Sequence, residues 1–196
     1  MRIATLTLAL LAAGAPAVSA QSIRLNPYAG WYHFDESSFE KGFETSEAES
    51  DPVYGLRLGL GGTSGWSIDL AYGRTKIAAE GVRDDMLLSS DATIQLFYAA
   101  LNRHVPLTGP LDLFLSGGIG GIQTDFEDQD GSTDVLVNYG AGVAIPVGAW
   151  RVRADLKDQV DLCDAPEEFE FDAFEACFED EALHNVEVTA GVEIPL

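Results

Sequence analysis

Cysteine is nearly absent. The 196 residues hold two, Cys163 and Cys177, too few for a disulfide scaffold or a four-thiolate zinc site. Basic residues are scarce. Eleven Lys+Arg stand against 32 Asp+Glu, for a formal net charge of −21. A phosphate backbone is recognised by a basic footprint, so nucleic acid is excluded as a partner. Apolar runs long enough for a spanning helix are missing, and after residue 21 helical periodicity is almost missing too. What remains is apolar enough to fold, at 46% hydrophobic residues, and long enough for one domain.

The first twenty residues read as an address. Met1-Arg2 gives a positive start, Ile3 to Ala13 an apolar run, and Val18-Ser19-Ala20 a small-residue cleavage site. A signal peptide over 1–20 is expected, with the mature domain over 21–196. Position 21 is Gln rather than Cys, which argues against a lipoprotein. The mature chain is thereby expected outside the cytoplasm, where disulfides persist.

Period-two alternation runs through the mature chain and predicts eight strands. They lie around 28–34 (starting as early as 25), 53–60, 66–77, 92–104, 111–124, 135–145, 151–160 and 185–194. Three connections are short and carry turn chemistry: Gly61-Gly62-Thr63-Ser64-Gly65, Pro106-Leu107-Thr108-Gly109-Pro110, and the stretch around Pro146-Val147-Gly148-Ala149. The other four, about 35–52, 78–91, 125–134 and 161–184, are long. Short and long alternate, and both chain ends fall on the short-turn side.

An exported meander with that rhythm fits an all-β, eight-stranded antiparallel up-and-down transmembrane β-barrel. Backbone polar groups must be paired in lipid, so the sheet closes, with short periplasmic turns and longer outside loops. The segment Asn138-Tyr-Gly-Ala-Gly-Val-Ala-Ile-Pro-Val, followed by Arg151-Val-Arg-Ala-Asp-Leu-Lys-Asp, resembles the penultimate hairpin of outer-membrane β-barrel domains. Over essentially the whole mature chain the pattern resembles small bacterial outer-membrane barrels of the OmpA and OmpX type. The resemblance implies location in the bacterial outer membrane, contact with its lipid and lipopolysaccharide, and a monomer. The chain departs from such barrels at its end, Ile194-Pro195-Leu196, where an aromatic residue is usual. No further domain is expected after the last strand.

One face of each strand is apolar: Tyr54, Leu56, Leu58 and Leu60 on the second, Trp66, Ile68, Leu70 and Tyr72 on the third, and Val186, Val188, Ala190, Val192 and Ile194 on the last. In a membrane barrel this face meets lipid and the polar face fills the lumen. Trp31, Tyr54, Trp66 and Tyr72 fall near strand ends, where an aromatic girdle sits. Centring the short turns gives cross-strand partners. Arg57 is predicted opposite Asp69, Arg103 opposite Asp112, and Arg153, Asp155 and Lys157 opposite Ala144, Gly142 and Gly140. With Arg151, Glu187 and Glu193, the predicted lumen carries five bases and five acids, a balanced set suited to a packed, ion-paired interior. Eight strands leave a bore that side chains can fill.

Twenty-six of the 32 acids fall on the four long connections, with Lys41 and Arg83 among them and Lys76 at the edge. Three readings of this acidic cap stay open: solvated charge, divalent-cation binding that bridges to lipopolysaccharide, and recruitment of a basic surface partner. Divalent cations are thus the one cofactor class in question. Asp125-Phe-Glu-Asp-Gln-Asp-Gly falls short of a twelve-residue calcium loop. Cys163 and Cys177 are expected to form a disulfide within the last loop, around Glu167-Glu-Phe-Glu-Phe-Asp-Ala-Phe-Glu.

The three histidines give no hydrolase motif. His104 is placed on the lipid face at the periplasmic end, and His33 and His184 on the outer rim of neighbouring strands. The expected role is therefore non-enzymatic, structural in the envelope or interacting at the surface. The alternatives are a minor channel for small solutes and a soluble lipocalin-like carrier of a hydrophobic ligand.

Overall fold

The computed structural model describes residues 23–33, 45–48, 51–62, 65–83, 86–105, 107–126, 132–164 and 183–196. The strands are β1 (Ile23–His33), β2 (Thr45–Ala48), β3 (Asp51–Gly61), β4 (Trp66–Arg83), β5 (Met86–Val105), β6 (Asp112–Phe126), β7 (Ser132–Val147), β8 (Trp150–Asp164) and β9 (Leu183–Pro195). Every pairing is antiparallel. The sheet runs β4-β3-β1-β9-β8-β7-β6-β5, and β5 pairs back onto β4, closing a barrel of eight strands. The short β2 lies outside the ring, paired with residues 79–82 of β4.

The register fixes the barrel's shape. Stepping from His33 through Val186, Asp158, Tyr139, Gly117, Leu101, Ile68 and Leu60 returns to β1 at Ile23, ten residues below the start. A stagger of ten over eight strands tilts them by about 40° from the axis. At about 3.3 Å per residue, each residue then climbs about 2.5 Å.

On this lattice the exposed aromatics sort into two rings. Trp31, Tyr54, Tyr72, Phe97 and Tyr139 lie within about two residues of one height toward the long connections, and Trp66 and Trp150 ring the short-turn end. Between them the outer wall is Leu56, Leu70, Leu101, Leu115, Val152 and Leu156, all exposed. Alternation alone sorts these faces, because successive side chains in a strand point to opposite sides.

Three features depart from the sequence expectation. The connection expected at 78–91 is largely strand: β4 and β5 stay paired out to Arg83 and Met86, about 20 Å beyond the level at which β1 ends. The connection expected at 35–52 contains β2. The other long connections are shorter than expected, because β6, β7, β8 and β9 each run on for two to four residues at the long-loop end.

The turns explain which registers were readable. Gly148, at φ +65°, sits in a two-residue turn that closes Val147 on Trp150, and Ala144, Gly142 and Gly140 oppose Arg153, Asp155 and Lys157. The first short turn is centred one residue later than expected, so Arg57 opposes Ala71 and Asp69 opposes Gly59. That shift of two residues preserves the faces. The second turn closes on Val105 and Leu113, which puts Arg103 opposite Leu115. Pro110 lacks a ladder donor, so β6 starts only at Asp112. This error is an odd number of residues, and an odd slip turns a strand over. Arg103 therefore faces outward and His104 faces the lumen, the reverse of the expectation.

Candidate functional site

The lumen is filled in layers. Arg57 on β3 is fully buried. Its Nη1 donates to Asp155 Oδ2 at 2.9 Å and to Asn26 Oδ1 at 3.2 Å, and its Nη2 to Glu187 Oε1 at 3.1 Å and Thr189 Oγ1 at 2.7 Å. The guanidinium lies over the Tyr28 ring, 3.8 Å from its centroid. Tyr28 in turn needs glycine around it, since a Cβ at Gly73 would come within 2.7 Å of its hydroxyl.

Arg153 is the second hub. Its Nη2 donates to Asp155 Oδ1 at 2.7 Å, and its Nη1 reaches Asp69 Oδ2 at 2.8 Å and Glu193 Oε1 at 3.2 Å. The Asp69 contact is an ion pair rather than an aligned hydrogen bond. Phe114 lies against the Arg153 guanidinium, 4.4 Å away, in space that Gly142 leaves open. Nearer the short-turn mouth, Arg151 pairs with Glu193 at 2.8 Å and with Asp112. Above the hubs, Lys157 Nζ donates to Tyr98 Oη at 3.1 Å, and Gln159 Nε2 to Glu187 Oε2 at 2.8 Å.

Arg24 completes the set and was not foreseen. Its Nη1 donates to Gly61 O at 2.6 Å and its Nε lies 3.9 Å from Glu193. The alternation of Arg24, Asn26 and Tyr28 carries the signal, but β1 starts at Ile23, two residues before the earliest start expected for it. Arg24 takes the place assigned to Arg103, whose guanidinium instead sits on the outer wall 5.1 Å from the Trp66 ring. The ion-paired region thus holds Arg24, Arg57, Arg151 and Arg153 against Asp69, Asp112, Asp155, Glu187 and Glu193, with the buried Lys157 held by Tyr98 rather than by a carboxylate. Contacts run across the bore between strands that do not neighbour each other, which turn geometry alone could not reveal.

His104 takes part as well. Its Nδ1 is 2.9 Å from Asp112 Oδ1 and its Nε2 is 2.9 Å from Ser67 Oγ. A carboxylate only accepts, so Nδ1 carries a proton, and in the neutral ring Nε2 then accepts from the serine hydroxyl. The connectivity is that of a hydrolase triad. The surroundings are not: Ser67 is 3% exposed, and Asp112 is shared with Arg151.

Toward the long connections the lumen changes character. Tyr32, Val53, Leu96, Ile122 and Leu136, with Ile94, are buried on inward faces within about 6 Å of one height. This apolar cluster lies above the Arg57 and Arg153 hubs, and the buried Thr75, Gln159 and Asn185 of β4, β8 and β9 complete its level. From alternation alone the inner faces are expected to carry only small, polar and charged residues. Beyond this layer, Cys177 and most of the loop acids lie outside the described residues. The expected Cys163–Cys177 pair lies there with them, for Cys163 is on β8 but its side chain is outside them too.

The model of the outer membrane protein β-barrel domain family matches residues 4–178. The chain belongs to that family. As a member of the outer membrane protein β-barrel domain family it resides in the bacterial outer membrane, and the soluble carrier alternative falls with that placement. Among solved structures, the chain is similar to Neisserial surface protein A, at 11% identity and a TM-score of 0.64, over 91% of this chain and 100% of that one. The N-terminal β-barrel domain of Pseudomonas aeruginosa OprF matches at 15% identity and a TM-score of 0.48, over 89% of this chain and 97% of that one. The curated proteins gave no match.

Proposed function

We propose that this barrel is a non-enzymatic, non-conducting monomer that strengthens the outer membrane and presents acidic connections at the cell surface. The filled lumen carries this reading. A path for solutes would have to displace the Arg57 and Arg153 networks and then wet the apolar layer at Tyr32, Leu96 and Leu136. The buried Ser67 hydroxyl argues against hydrolysis, because an attacking oxygen must come within about 3–3.5 Å of its target carbonyl carbon.

The role is tested in cells. Deleting the gene is expected to sensitise the outer membrane to detergents and bulky antibiotics, and the full chain is expected to restore resistance. A deletion strain of unchanged resistance that instead loses uptake of a small solute would replace this reading with transport.

A further inference from the structure

We propose that the outer wall of β4 holds one phosphorylated lipid of the outer leaflet, with Arg74 and Lys76 on its phosphate and the groove below them on its acyl chains. The inference rests on the outer-membrane placement of the family and adds a site to it. Leu70, Tyr72, Arg74 and Lys76 follow one another on the outward face of β4, so two apolar side chains give way to two cations toward the outside. Below the cations lies an apolar groove of about 520 Å³, lined by Leu56, Leu58, Leu70, Tyr72, Phe97 and Ile119 among others. The small Ala99 forms part of its floor.

The cations stand where a headgroup would be. Arg74 and Lys76 lie about 7 and 13 Å along the strand from Tyr72, a member of the outer aromatic ring. Neither forms an ion pair among the described residues, and Arg74 Nε is buried with no hydrogen-bond partner. The lumen guanidiniums of Arg57, Arg151 and Arg153, by contrast, each meet a carboxylate. On this wall Asp125 is held by Gln95 and Gln123, and Gln95 also accepts from Tyr72 Oη at 3.2 Å. Two cations without an ion pair among the described residues, above an apolar groove, complement a phosphate carried on hydrocarbon. Guanidinium supplies a planar fork for that anion and ammonium a point charge.

The test uses the purified, folded barrel in detergent, with bis-phosphorylated lipid A and the same lipid stripped of its phosphates as probes, read by native mass spectrometry. Wild type is expected to bind the phosphorylated lipid at least tenfold more tightly, with EDTA present or absent. The R74Q/K76Q variant is expected to lose that preference while keeping the heat-dependent gel mobility of a closed barrel. Equal binding of the two lipids by wild type would overturn the proposal, as would a preference that survives in the variant. Loss of binding in EDTA would assign the contact to cations bridged by acidic groups instead. Displacement of the lipid by micromolar inorganic phosphate would reduce the site to a free-anion site. Failure of wild type to show heat-dependent mobility would count against the barrel itself rather than this site.

Discussion

Arg57 and Asp155 meet at 2.9 Å inside the barrel although β1 and β9 stand between their strands in the wall. The contact spans the bore, so it ties wall segments that share no backbone hydrogen bonds. Such a cross-brace stabilises a closed sheet in a way that a neighbouring-strand pair does not.

Removing one arm of this brace should be costly. Arg57→Ala leaves the Glu187 carboxylate buried without its guanidinium partner, held by the neutral amide of Gln159. Stranding a buried charge costs about 3–5 kcal/mol. Urea unfolding in lipid vesicles should show a loss of that size, and a loss below about 1 kcal/mol would mean that the lumen is hydrated enough to screen the charge.

Arg103 offers the contrasting case. It lies on the outer wall beside Trp66 at the short-turn end, where a cation over an aromatic face is worth about 0.5–1 kcal/mol. Arg103→Leu should therefore shift the same unfolding transition by no more than about 1 kcal/mol. A loss of several kcal/mol would return Arg103 to the lumen and reverse the register of β5.

That pair of residues also marks how far the sequence could be read. Eight strands, closure and the outward apolar faces follow from alternation and from the rhythm of short and long connections. The β7–β8 register was legible because a two-residue turn at Gly148 leaves no freedom in the count. The β5–β6 register was not, because the stretch from Pro106 to Leu111 admits several closures, and an odd miscount turns Arg103 outward and His104 inward. The partners of Arg57 and Arg153 were hidden for another reason: they face each other through the bore, at separations up to 132 residues. The apolar layer was missed because Leu96 and Ile122 share inner faces with residues expected to be polar.

Ser67, His104 and Asp112 are connected as a triad but enclosed as a structural hydrogen-bond chain. The folded barrel should remain unlabelled by a serine-directed fluorophosphonate, as read by intact mass. Stoichiometric labelling lost in Ser67→Ala would show that the hydroxyl is reachable and activated, and would reopen an enzymatic role.

The central claim is that the lumen is filled from the ion-paired hubs at Arg57 and Arg153 to the apolar layer at Tyr32, Leu96 and Leu136. Conductance of the purified barrel in a planar lipid bilayer tests it most directly. The account predicts a silent membrane at moderate voltage in molar salt. Steady single-channel steps that change in size when Arg57 or Leu96 is replaced would place an open water path through those layers and contradict it.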